Sequence, residues 1–177
     1  MKTTEITREE INQLVYLMKK LKPGFLPPEV FIEWARIGVA PILEVVPLRL
    51  RPDGKPEVLL TKRQEDDPIW PSQLHTPGTV IRATDTEGGD YPDAFKRVLE
   101  GELEGMGLVG QPVYVQNFLH HSGRGMESSM VFFVEVAESE TDGRFYPVYN
   151  LPSNAVQTQI DFIKIAASAF LASKQNG

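Results

Sequence analysis

The chain has 177 residues, 41% hydrophobic and 24% charged, and contains no cysteine. That composition is globular, and a single domain of this size buries roughly 70% of its unfolded surface without disulfides or thiolate zinc sites. The net charge of −6 excludes bulk attraction to nucleic acid or anionic lipid. No apolar run reaches the roughly 18 residues of a membrane span, and the start of the chain is amphipathic rather than a signal core. The expectation is a cytoplasmic protein with no nucleic-acid or membrane partner.

Thr7-Arg8-Glu9-Glu10 has the form of a capping box, and Ile11, Leu14, Val15, Met18 and Leu21 follow at helical spacing, so an amphipathic helix opens the chain until Lys22-Pro23-Gly24 stops it. Pro27-Pro28 begins a second helix, with Val30, Phe31, Trp34 and Ile37 on one stripe and Gly38 at its end. From Val39 the period becomes that of strands. Ile42 to Arg51 and Glu57 to Arg63 form a hairpin across Pro52-Asp53-Gly54-Lys55.

Residues 63–78 read as a long irregular loop, Thr79 to Arg82 as a short strand, and Thr84 to Asp90 as a polar loop. Asp90 is placed to cap a helix that runs to about Met106. Strands over Val113 to Leu119 and Ser129 to Val136 follow, joined at Ser122-Gly123-Arg124-Gly125, and another runs from Arg144 to Tyr149 after an Asp142-Gly143 turn. Val156, Ile160, Ile163, Ala167 and Phe170 mark a closing helix. This order predicts an α+β fold, an α/β/α sandwich with a mixed sheet over residues 39–177, preceded by a helical extension over residues 1–38. The apolar stripe of the extension needs cover from the domain or from a second copy, which makes a homodimer the expected assembly.

The central stretch from Pro77-Gly78 to Arg97-Val98-Leu99-Glu100-Gly101-Glu102 resembles the Nudix hydrolase signature in a degenerate form. Ile69-Trp70-Pro71 and Leu74-His75-Thr76-Pro77-Gly78 resemble the approach to that box, and the order of elements from about residue 39 to 173 fits the family's sandwich. Gly78 falls on the first box glycine and Arg97 on the box arginine if the loop Glu87-Gly88-Gly89-Asp90-Tyr91 supplies about five extra residues, an insertion of low cost. Leu99 then takes the aliphatic position and Glu102 the last glutamate. Thr84, Val98 and Gly101 stand where the family has its other glutamates.

The resemblance implies hydrolysis of a nucleoside-diphosphate-like, phosphorylated small molecule, with Mg2+ or Mn2+ held by box carboxylates. It names Glu102 as metal ligand and catalytic acid, Arg97 as its box partner, and Glu127, in the Gly125-Met126-Glu127 loop, as a further acid. With so few glutamates retained, weak or absent metal binding is expected, and a catalytically inactive ligand-binding or regulatory module on the same scaffold is the second reading. Helix phase tests the register without the family. At 100° per residue Phe95, Val98, Leu99, Glu102 and Met106 share one stripe, whereas Lys96, Arg97, Glu100 and Glu104 face away.

A carboxylate centred on an apolar face needs a cation or protein donors. Both readings of Glu102 stay open at this point, and Glu100 with Glu104 is more simply a solvated face. Arg63 and Arg82 are candidate phosphate ligands, Trp70 a candidate ring-stacking residue, and His75 and Gly78 candidate pocket residues. Asp85 and Glu87 are lesser acidic candidates. Of the adjacent His120 and His121, strand alternation lets only one enter any pocket.

Overall fold

The computed structural model describes residues 6–24, 26–86, 91–137 and 144–175. The expected cap Asp90, the acid Glu87 and the Asp142-Gly143 turn lie outside the described residues.

The capping box forms as the sequence predicts: α1 (Arg8–Met18) starts at Thr7, whose hydroxyl accepts from the Glu10 amide while the Glu10 carboxylate accepts from Thr7. No residue of α1 is buried. Proline opens α2 (Pro28–Ile37), and Gly38 ends it. Unlike α1, this helix is seated, with Phe31, Trp34 and Ala35 packed on Ala40 and Ile42 of the first strand.

That strand, β1 (Val39–Leu50), is the axis of the sheet. It pairs in parallel with β7 (Met126–Val136) on one side, and antiparallel with β5 (Gly78–Val80) and β2 (Pro56–Leu59) on the other. β6 (Leu108–His121) closes one edge and β8 (Phe145–Pro147) the other, giving the order β6-β7-β1-β2-β8. The sheet is mixed, as expected. A separate two-stranded ladder joins β3 (Thr61–Lys62), at the end of the expected Glu57-to-Arg63 strand, to β4 (Leu74–His75), which lies inside the segment expected to be irregular.

Alternation along β1 and β7 divides the core. Val46, Leu48, Val131 and Phe133 pack under α4 (Ile160–Gln175) with Phe162, Ile163, Ala166 and Phe170. Leu43, Val45, Val134 and Val136 face α3 (Pro92–Glu102) with Ala94 and Val98. Each valine, leucine, isoleucine or phenylalanine among them contributes about 1.5–3 kcal/mol by leaving water, and the two clusters hold a helix on each face. Since Ala40 and Ile42 share the even face of β1 with Val46, α2 lies on the α4 side.

Several boundaries differ from the sequence reading, and two of them have a clear cause. α3 ends at Glu102 instead of near Met106, because Leu103, 2% exposed, turns off the helix axis into the core, and Gly105 takes a left-handed φ of 77°. β6 begins at Leu108 instead of Val113, since Gly110 at φ 75° and Pro112 sit in a bulge where pairing shifts between Val109 and Val113. Among the described residues no helix is long and apolar enough to cross a membrane.

Candidate functional site

The β3–β4 ladder and the end of α3 frame a cleft of about 700 Å³, lined by Thr61, Lys62, Arg63, His75, Glu102 and Arg144 among others. The ladder exists because Thr61 pairs with His75 and Lys62 with Leu74, while Leu60 donates its amide to the Arg144 carbonyl and brings that residue to the rim. Helix phase delivers Glu102 from above, one turn beyond buried Val98.

Glu102 is already met by protein. Thr61 Oγ1 donates to its Oε2 at 2.8 Å, the Gly78 amide donates to Oε1 at 3.2 Å, and His75 Nε2 lies 3.6 Å from Oε2. Burial raises its pKa, against these donors and the charge of Arg63. His75 stays neutral at pH 7: burial, then the nearby Arg63 charge, lowers its pKa to about 4, with Nδ1 2.7 Å from the Thr76 carbonyl.

Behind Gly78 stands a second acid that the sequence reading passed over. Glu44 is fully enclosed on β1, where Thr76 Oγ1 donates to it at 2.9 Å and Gln159 Nε2 at 3.1 Å. Burial pushes its pKa up to about 8, so it is a neutral acid at pH 7. Only glycine fits between the two acids, because a Cβ on residue 78 would lie 2.7 Å from Glu44 Oε2.

The other sequence candidates divide by place. Arg63 enters the cleft; Asp67 accepts from it at 3.2 Å, while its buried Nε has no partner. Trp70 lies beside the cleft with the guanidinium of Arg63 at 5.1 Å and that of Arg124 at 5.0 Å from its ring. Arg97 points elsewhere: it forms a two-point ion pair with buried Asp85, whose pKa the Arg97 hydrogen bond lowers, and also donates to the Val80 carbonyl at 3.1 Å. It fastens the turn at Ala83–Thr86 to α3.

Arg82 borders a different depression, between β5 and the extension, with Lys22, Phe31 and Trp34. Glu127 is buried on β7, paired with Arg124 at 2.7 Å, away from the cleft lining. Glu100 is solvated beside Lys96, and His120 contacts Ser129 at 3.0 Å. The structure therefore brings together Glu102, Arg63, His75 and Gly78, and leaves Arg97, Arg82 and Glu127 outside the cleft.

No family model and no curated protein matches the sequence. Solved structures do match in shape. A mutT/nudix family protein from Listeria innocua superposes with a TM-score of 0.55 at 17% identity, over 78% of this chain and 98% of that one. The NUDIX domain of Shewanella oneidensis NrtR, crystallised with ADP ribose, superposes with a TM-score of 0.50 at 16% identity, over 93% of this chain and 99% of that one. The chain has a Nudix fold.

The resemblance read from the sequence implies Mg2+ or Mn2+, so the donor set of the cleft can be tested for a hard cation, which wants several carboxylate oxygens. Among the described residues no three His, Asp or Glu side chains come together as a metal-binding group. Glu102 has both oxygens engaged by protein donors, the nearby Glu44 is enclosed and neutral, and Val98 is core. Those residues do not fit a divalent cation.

Proposed function

We propose that the protein is a binding module rather than a metal-dependent hydrolase, taking a phosphorylated, nucleoside-like small molecule into the Glu102 cleft. One observation carries this reading: the acid in the metal-ligand position is occupied by Thr61 and Gly78, while Lys62, Arg63 and Arg144 line the same cleft. These cations suit a phosphate oxygen. The ADP-ribose complex of the NrtR domain supports a ribose diphosphate as the first ligand to try.

The experiment is a set of thermal melts with ADP ribose, with and without magnesium or chelator. The expected result is a rise in melting temperature that saturates with ligand and is indifferent to the cation. It should be lost in Arg63→Ala, while Glu102→Gln alters the apo melt by about 1–3 kcal/mol equally with and without metal, since imperfectly paired donors are left behind. A magnesium-dependent turnover at ordinary enzyme rates, about 1 to 10³ per second, would instead establish the hydrolase reading. Melts unmoved by any nucleoside diphosphate would sink both.

A further inference from the structure

Arg82 lies outside the Glu102 cleft but borders a second cavity. The segment between α1 and α2 contains Lys22-Pro23-Gly24 and runs back over the turn that follows β5, so that a Cβ on Gly24 would lie 3.6 Å from Thr84 Oγ1. Between this segment, α2 and β5 is a cavity of about 460 Å³, a size usual for small-molecule sites. Its walls are apolar. Helical spacing sets Phe31 and Trp34 side by side on α2 with ring centroids 6.0 Å apart, and Leu26 and Ile81 join them in the lining. Both rings rest on Ala40 and Ile42 of β1, so the sheet holds the aromatic wall in place.

The charge of the cavity has one sign. Lys22 and Arg82 line it, and among the described residues no carboxylate does. Asp85, the acid of the adjoining turn, is buried and already accepts from Arg97 at two points and from the Arg82 amide at 2.6 Å. The Arg82 charge also acts on it. Lys22, Arg82 and Arg97 therefore stand against one carboxylate, and the excess is positive.

We propose that this cavity binds a small hydrophobic carboxylic acid, its apolar body against Phe31, Trp34 and Ile81 and its carboxylate toward Arg82 and Lys22. An apolar lining with a few placed polar groups is how proteins hold such molecules, and a guanidinium offers a carboxylate two parallel donors. A single charge fits better than a doubly charged phosphate. Asp85 already draws on Arg82, and among the described residues Thr79 is the only other polar side chain in the lining, so a second charge would be desolvated without a partner. The cavity and the Glu102 cleft share no lining residue among those described, and occupancy of one does not require the other.

Equilibrium dialysis against three probes with one ring system and one substitution pattern tests it: naphthoate, the neutral naphthalenemethanol and the cationic naphthylmethylamine. The unmodified chain should retain naphthoate saturably, the alcohol about tenfold more weakly, and the amine not at all. Lys22→Gln, at an exposed position, and Arg82→Gln should each weaken naphthoate by about tenfold and leave the alcohol unchanged, whereas Arg63→Ala in the Glu102 cleft should alter neither. Arg82 neighbours the Asp85 turn, so if Arg82→Gln shifts the melting temperature, Lys22→Gln decides. Equal retention of acid and alcohol overturns the proposal, because the cations then select nothing. Naphthoate lost in Arg63→Ala but kept in Lys22→Gln overturns it by placing the acid in the Glu102 cleft. A chain that retains no naphthoate overturns it outright and leaves the binding reading of that cleft untouched.

Discussion

Gly125→Ala should lower the melting temperature by roughly 5–15 °C, the conversion being about 2–4 °C per kcal/mol at this chain length. A Cβ at residue 125 would stand 2.2 Å from the Ala35 carbonyl oxygen and 2.8 Å from its carbon. Both are backbone atoms of α2, so no flexible side chain can yield. The residue also has φ 141°, which side-chain-bearing residues rarely adopt. Overpacking costs about 1–3 kcal/mol and such backbone strain about as much again. Gly101→Ala is the internal control: nothing lies within 4 Å of its Cβ position, and alanine in a helix is better by about 0.5–1 kcal/mol. A Gly125→Ala melt within about 2 °C of the parent would show that α2 is not held against the β6–β7 turn. The contact also ties the second helix of the extension to the sheet, since Phe31, Trp34 and Ala35 cover Ala40 and Ile42.

Elements with a long period were readable. Proline at the start and glycine at the end bracketed α2, the capping box marked α1, and the aliphatic runs of β1 and β7 form strands that pair over ten residues. The two-residue β4 was not: it is too short for any period, and it is held by pairing with Thr61 and Lys62, which are distant in sequence. Leu103 belongs to the helical stripe by spacing, yet its burial is what ends the helix, a tertiary effect that propensity does not record. The Gly110-Gln111-Pro112 stretch has turn composition but is a bulge inside β6.

The site was legible where phase decides and illegible where donors are ordinary residues. Glu102 followed from its position on the apolar stripe of α3. Thr61 and Thr76 gave no signal, because threonine is common in strands, and the donors to Glu102 include a backbone amide that no side chain announces. Arg97 and Asp85 are joined across a loop, a pairing without fixed spacing. Glu127 did carry a readable mark: in β7 it alternates with Ser129, Val131 and Phe133, the buried set. Glu44 carried another, as the lone acid within Pro41-Ile42-Leu43-Glu44-Val45-Val46. A single carboxylate inside an aliphatic run of strand residues asks to be explained by burial with a proton or a partner.

That enclosed acid gives the second large effect, a loss of stability as pH rises from about 6.5 to 8. An unfolded Glu44 releases its proton near the ordinary value of 4.5, whereas in the fold burial holds the proton until about 8, despite Thr76 and Gln159 donating to it and with the charge of Glu127 adding to the shift and that of Arg124 opposing it. Between those values the native state binds the extra proton, so stability from this group is full below 4.5 and falls until pH passes 8. His75 acts in the opposite direction over part of the range. Its pKa is lowered from 6.5 to about 4, so its contribution is present above 6.5 and lost as pH falls through 4. The two slopes offset one another between about 4.5 and 6.5, which leaves the decline at higher pH to Glu44. At about 1.4 kcal/mol per pH unit the drop across that window is about 2 kcal/mol, and the full span from 4.5 amounts to several. Glu44→Gln keeps the shape and removes the titration, so its urea midpoint should stay level from pH 6.5 to 8 and then lie above that of the parent. Parallel profiles for the two proteins would mean that Glu44 does not keep its proton in the fold. In that case an ionised carboxylate would stand directly behind Gly78 and the Glu102 cleft.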